Sequence, residues 1–145
     1  MKKTGKIIAG ILTLLLILTI LFYLLGDKYS YKPDKKDLIG EYHIVKVTRL
    51  NFNKETSNNY KLNLYSNGNF TLTKTPFIEI YGNGKYDVDY DDEYNELSLE
   101  YSMNGKHGFT VAHINRTFFG YKIEFIIGDP DSGESIYFEK ITTDK

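Results

Sequence analysis

The chain has 145 residues, with 18 Lys and Arg against 19 Asp and Glu and a formal net charge of −1, enough for one domain and little more. The near balance of charge argues against a general nucleic-acid binder, and an aromatic content of 15%, with 13 Tyr and 9 Phe, argues against disorder. Without cysteine there is no disulfide framework, no thiol nucleophile, no cysteine zinc site and no lipid anchor through a modified Cys.

Residues 1–6 form a short tail carrying Lys2, Lys3 and Lys6. The run from Ile7 to Leu25 then carries no charge. At about 1.5 Å per residue a helix of this length crosses roughly the hydrocarbon core of a bilayer. Tyr23 near its far end suits the interface. The run is longer than a secretory core, and no pair of small residues follows it at cleavage spacing. The expectation is therefore a retained, single transmembrane helix over residues 7–25. The basic residues packed before it favour an N-terminus inside, with the rest of the chain on the extracytoplasmic side of a cell membrane. The portion after the run has 15 basic and 19 acidic residues, a net charge of −4.

Residues 26–37 read as a polar linker with Pro33 at its middle. Lys28, Lys32, Lys35 and Lys36 make it locally basic, as expected of a solvated tether. From Leu38 onward the pattern becomes short alternating runs closed by turn residues. Glu41–Leu50 is the first. Tyr60, Leu62 and Leu64 alternate with Lys61 and Asn63, and Ser66-Asn67-Gly68-Asn69 follows as a hairpin signal. Phe70 and Leu72 lead to Pro76, which ends or bends that strand. Gly82-Asn83-Gly84 reads as a turn before Tyr86, Val88 and Tyr90. The acidic turn 91–95 precedes Leu97, Leu99 and Tyr101. Asn104–Gly108 reads as another turn, before a strand over Phe109–Arg116 with Phe109, Val111 and His113 facing inward. Tyr121, Ile123, Phe125 and Ile127 share one face of the next strand. Gly128–Glu134 is a connection, and Ser135–Ile141 closes the chain.

About eight strands, with short connections, imply antiparallel neighbours in an up-and-down meander. An open sheet would leave two edges and an uncovered apolar face, with no helix in the sequence to cover it. Closure into a barrel removes both problems. The fold class expected is all-β: one N-terminal transmembrane helix followed by an eight-stranded antiparallel up-and-down barrel over residues 38–145.

Gly40-Glu41-Tyr42 at the first strand, Asn67-Gly68-Asn69-Phe70 at the first hairpin and Gly84-Lys85-Tyr86 further on resemble the small bacterial lipocalin-like (calycin-type) β-barrel domains. Lys36-Asp37-Leu38-Ile39 resembles the helical turn that plugs one end of such a barrel. The resemblance implies an eight-stranded barrel that binds a small apolar ligand, and no enzyme activity. The interior side chains, Tyr86, Tyr90, Leu97, Leu99, Phe109, Val111, Ile123, Phe125 and Phe138, are large enough to fill much of it.

Chemistry-bearing groups are sparse. His43, His107 and His113 show no short ligand spacing, and no cofactor or metal is expected. Asp87, Asp89, Asp91, Asp92, Glu93 and Glu96 read as a solvated acidic strip rather than a calcium site. No Gly-x-Ser-x-Gly, phosphate loop or Ser–His pairing supports catalysis. The most distinctive run is Gly128–Glu134. Its Asp129 and Asp131 imitate a calcium loop, but Lys140 stands where that loop needs Glu. Asp129, Asp131, Ser132 and Glu134 are the candidate partner-binding residues, on a tip made rigid by Pro130 and Gly133. The expected function is a membrane-anchored, non-enzymatic interaction domain with a protein partner, of inhibitor or immunity type or an envelope scaffold. The alternative is a carrier of a small apolar ligand.

Overall fold

The computed structural model describes residues 2–26, 32–48, 58–90, 95–117 and 120–141, and on the first of these segments the side chains of Ile8 and 10–21. Two compact units result, Met1–Tyr31 and Lys32–Lys145. The acidic turn expected at 91–95, apart from Asn95, and residues 27–31 of the linker lie outside the described residues.

The first unit is a helix, α1, over Lys2–Gly26. Its described large side chains, from Ile8 to Leu21, are exposed on consecutive positions, so its apolar surface runs all the way round rather than along a stripe. Among the described residues, no helix is long and apolar enough to cross a membrane. The span expected over Ile7–Leu25 therefore lacks support there. The side chains of Ile7 and Leu25 themselves lie outside the described residues.

The second unit begins with a short helix, α2 (Lys35–Leu38), capped by the Asp34 carboxylate on the Lys36 amide. Eight strands follow: β1 (Gly40–Val47), β2 (Lys61–Leu64), β3 (Asn69–Leu72), β4 (Gly82–Tyr90), β5 (Asn95–Met103), β6 (Lys106–Thr117), β7 (Gly120–Ile126) and β8 (Ser135–Lys140). Each pairs with the next, and β8 pairs antiparallel with β1, so the sheet is a closed barrel in chain order. Closure gives every strand a neighbour on both sides, although β6 pairs with β7 only over His113–Thr117 and β4 with β3 only over Gly82–Lys85.

The core is the inward row of every strand. Tyr42, Ile44, Leu62, Leu64, Phe70, Leu97, Leu99, Ile123, Ile136 and Phe138 are essentially fully buried. Phe125 packs edge-on against Phe138, ring centroids 5.6 Å apart, a favoured aromatic geometry. The two ends are covered differently. At one, Pro33 and Leu38 are fully buried, the Tyr42 hydroxyl donates to the Leu38 carbonyl at 2.7 Å, the Tyr90 hydroxyl donates to the Pro33 carbonyl, and the Lys140 ammonium donates to the Asp37 carbonyl at 2.9 Å. α2 is thus a plug, and the second half of the expected linker is folded against the barrel. At the other end the β3–β4 connection lays Phe77, Ile78 and Ile80 against the core. Thr75 holds that connection by accepting from the Phe77 and Ile78 amides.

Three readings change. β1 carries a bulge between Ile44 and Lys46 against β8, so Tyr42, Ile44 and Val47 all face the core although strict alternation would send Val47 outward. Gly82–Gly84 are the first residues of β4, paired with Leu72, Thr71 and Phe70, not a turn. The β5–β6 turn is only Asn104 and Gly105, with φ of 52° and 74°, the two-residue geometry that matches strand twist. Lys106–Gly108 are already strand. That short turn sets the register Tyr101↔Gly108, Leu99↔Thr110 and Leu97↔Ala112. Directly opposite residues share a face. Ala112 and Ile114 are therefore buried, while Phe109, Val111 and His113 face outward, and Phe109 is 61% exposed.

Candidate functional site

The loop expected to bind a partner is held by its own side chains. Pro130–Ser132 is one 3-10 turn, with Asp129 at its N-cap accepting from the Asp131 amide at 3.0 Å and Gly133 leaving it at φ 67°. The Ser132 hydroxyl donates to the Ile127 carbonyl and accepts from the Glu134 amide, and the Ile127 amide donates to the Glu134 carbonyl at 2.8 Å. Asp129 and Ser132 thus build the turn, as an Asx cap and a bracing hydroxyl do. Asp131 is exposed at its apex. The four residues share one loop, and none of them lines the groove on the wall of β3 to β6.

A larger feature lies on the outer wall of β3, β4, β5 and β6. It is an open groove of about 1160 Å³. Two outward-facing rows line it. One runs Thr71, Asn83, Ser102 and His107; the other runs Asn69, Lys85, Glu100 and Phe109. Between them lies the inward row Phe70, Gly84, Tyr101 and Gly108. Its glycines explain how the wall can hollow. A Cβ on Gly84 would sit 1.9 Å from the Glu100 carbonyl oxygen, and one on Gly108 would sit 2.4 Å from the Tyr101 ring. Only glycine permits that approach of backbone and ring. Phe70 and Tyr101 cover the two glycines from within, as cross-strand aromatics do.

The β2–β3 turn closes one side of the groove. Tyr65 stands there, 44% exposed. Its hydroxyl is 3.2 Å from the Thr71 hydroxyl, and its carbonyl accepts from the Tyr86 hydroxyl at 2.9 Å. Phe109 stands on the other side. Both rings are large apolar faces left in solvent at fixed positions. Lys85 and Glu100 are directly opposite in register, yet no ion pair joins them, and among the described residues neither side chain has a hydrogen-bond partner.

Two further polar clusters sit on the outer wall. On β1, His43 is 2.8 Å from Glu41 and 3.0 Å from Asn58, and Lys61 is 3.0 Å from the same Glu41 oxygen. Those hydrogen bonds from His43 and Lys61 hold the Glu41 carboxyl below its usual range. On β7, Glu124 accepts from the Asn115 amide at 2.8 Å and the Tyr137 hydroxyl at 2.7 Å. Burial alone would raise its carboxyl, but hydrogen bonds from Ser135, Tyr137 and Asn115 prevail and hold it below the usual 4.5. Both clusters are self-satisfied. His113 lies outward opposite Glu124, not in the interior. Of the acidic strip, Asp87 pairs with Lys35 at 3.0 Å, which with the Val88 amide lowers its carboxyl. Asp91, Asp92 and Glu93 lie outside the described residues. Among the described residues no group of three or more His, Asp and Glu could hold a metal.

The groove was not apparent as a site in the sequence. Its amides sit where Asn signals turns, and Phe109 sits where a misplaced turn assigns it to the core. An exposed Phe opposite Glu100 is the signal that a two-residue turn at Asn104-Gly105 would have supplied. Comparison with models of protein families, with curated proteins and with solved structures gave no match to this chain.

Proposed function

We propose that this protein is a non-enzymatic binding domain, held at a cell membrane by α1, that takes its partner on the outer wall of the barrel rather than in the lumen. The observation that carries the binding site is a contrast between the two surfaces. The lumen is lined by the protein's own large buried side chains, whereas the outer wall keeps an open groove with exposed rings and, among the described residues, polar groups without side-chain partners. An eight-stranded barrel is just wide enough to be filled in this way. The lipocalin-like likeness of the strand starts and of the α2 plug accords with such a barrel, but a carrier needs the empty interior that these residues occupy.

Anchoring is supported by α1, a helix of 25 residues whose described apolar side chains are exposed on all sides. In water such a surface is costly, since each large aliphatic side chain loses about 1.5–3 kcal/mol of burial. A lipid phase removes that cost. The basic tail before the helix favours a barrel on the extracytoplasmic side. An inhibitor, an immunity-type protein or an envelope scaffold would each use such a display.

Fractionation tests the anchor. The full chain should stay with membranes through an alkaline carbonate wash, and the Lys32–Lys145 portion should not; release of the full chain refutes anchoring. Solvent extraction of the purified protein tests the site. A stoichiometric apolar molecule recovered from it would place the ligand in the lumen and establish the carrier instead.

A further inference from the structure

We infer that the groove between Tyr65 and Phe109 is a carbohydrate site, which takes a neutral oligosaccharide with sugar faces against the two rings and hydroxyls on Lys85, Glu100, Asn69 and Asn83. This rests on the reading that the outer wall is the binding face.

The first ground is unused hydrogen-bonding capacity. Lys85 and Glu100 face one another across β4 and β5 without pairing, although an opposite-charge cross-strand pair is favourable when it forms. Asn83 and Ser102, opposite Thr71 and His107 respectively, likewise make no side-chain hydrogen bond among the described residues. An ammonium supplies three donors, a carboxylate only acceptors, and an amide both. Hydroxyls that donate and accept along a sugar ring match this mixture. The second ground is the pair of rings. An aromatic face carries the negative side of a quadrupole, which attracts the polarised C–H face of a pyranose. Tyr65 is tethered through its hydroxyl to Thr71 and its main chain is held by the Tyr86 hydroxyl, which limits the side-chain freedom to be lost on binding.

Charge and topology exclude the competing ligands. One cation opposite one anion leaves the groove without net charge, which favours neither a polyanion nor a metal ion. An extended peptide most readily binds a sheet by adding a strand to a free edge; the strands that floor the groove, β3 to β6, pair with one another across it, so a peptide lying across them would be read by side chains alone. Across β3 to β6 the row Asn69, Lys85, Glu100 and Phe109 spans three strand spacings, about 14 Å, so the ligand is a short chain of sugars rather than one ring.

The test uses the full chain, purified in a detergent without a sugar headgroup. Cello-, malto- and chito-oligosaccharides are titrated while amide resonances are followed by NMR. The expected result is saturable binding of at least one series, with shifts confined to Asn69, Asn83, Lys85, Glu100 and their neighbours. Phe109→Ala, an exposed position whose loss should leave the melting temperature unchanged, should weaken it by about tenfold or more. Glu100→Gln should weaken it less, and Asp131→Ala should not change it. The assignment is overturned if no series shifts these amides up to about 10 mM, if folded Phe109→Ala binds as the parent does, or if only acidic sugars bind. A protein partner that protects the groove amides, with no sugar bound, would overturn the carbohydrate assignment and leave the outer-wall reading intact. An apolar molecule extracted from the lumen would overturn the outer-wall reading, whatever the sugars do.

Discussion

Phe125 is 2% exposed and meets Phe138 edge-on, so Phe125→Ala should cost about 3–5 kcal/mol in denaturant unfolding, the range for a truncated buried Phe. Its facing was legible because Tyr121, Ile123 and Phe125 alternate with Lys122 and Glu124 without interruption. Tyr42 shows what alternation does not carry. Burial first, then the neighbouring Tyr86 and Tyr121, push its phenol well above the usual 10.0. In the unfolded chain Tyr42 ionises near its usual value and in the barrel it does not. The associated stability is thus complete below pH 10 and declines as pH rises beyond it. Tyr42→Phe should flatten that alkaline decline, read as the unfolding midpoint against pH, at the cost of the bond to the Leu38 carbonyl. Glu124 works in the opposite direction. Its folded carboxyl titrates below 4.5, so the stability it confers is present above that pH and is lost as the medium is acidified through the folded value. Glu124→Gln should remove this share of the acid sensitivity; an unchanged slope would mean that its hydrogen bonds do not favour the ionised form. Neither network was visible in the sequence, because partners such as Glu124, Asn115 and Tyr137 meet only once three strands are in register.

At the scale of elements, the turns decided which expectations held. Asn67-Gly68 closes β2 and β3 where an Asn-Gly pair should, and all eight strands were legible from alternation and turn residues. Two errors of placement, at Gly82–Gly84 and Lys106–Gly108, came from reading every glycine as a break. These glycines serve close packing within strands, which no single sequence distinguishes from a turn. Gly84→Ala should therefore be destabilising by about 1–3 kcal/mol, as overpacking is, since its methyl would meet the Glu100 carbonyl. A neutral result in thermal unfolding would mean that β4 and β5 separate easily there. At the β7–β8 tip the residues divide by role. Asp129→Ala should lose a cap worth about 1 kcal/mol, whereas Asp131→Ala, at the exposed apex, should leave the melting temperature within a degree or two. If Asp131→Ala destabilises as much as Asp129→Ala, the cap geometry is not what orders this loop. The tip was legible as a rigid turn, from Pro130 and Gly133, and less so as a site, since carboxylates that cap and carboxylates that bind look alike in a sequence.

For the whole molecule, barrel closure was derivable because an uncovered apolar face and two sheet edges have no other remedy in a chain without a second helix to spare. What covers the ends was only half derivable. The α2 plug was visible in Lys36-Asp37-Leu38-Ile39, but the Phe77–Ile80 cover depends on a connection whose path is set by Thr75. The β1–β8 seam has a consequence for the order of the chain itself. The Ile141 amide donates to the Glu41 carbonyl at 2.9 Å, so the polypeptide enters and leaves the barrel at the same end, beside α2. As far as the sheet is concerned, the first and last strands are ordinary neighbours that happen to lack a covalent link. A short linker joining 141 to 32, with new termini cut between Pro130 and Ser132, should give a permutant with the same β-sheet circular dichroism, because surface tips tolerate new ends. In that molecule the chain starts at the other end of the barrel. An anchor fused to the new first residue would attach the domain the other way up, making the orientation of the barrel an independent variable in any assay of what it binds.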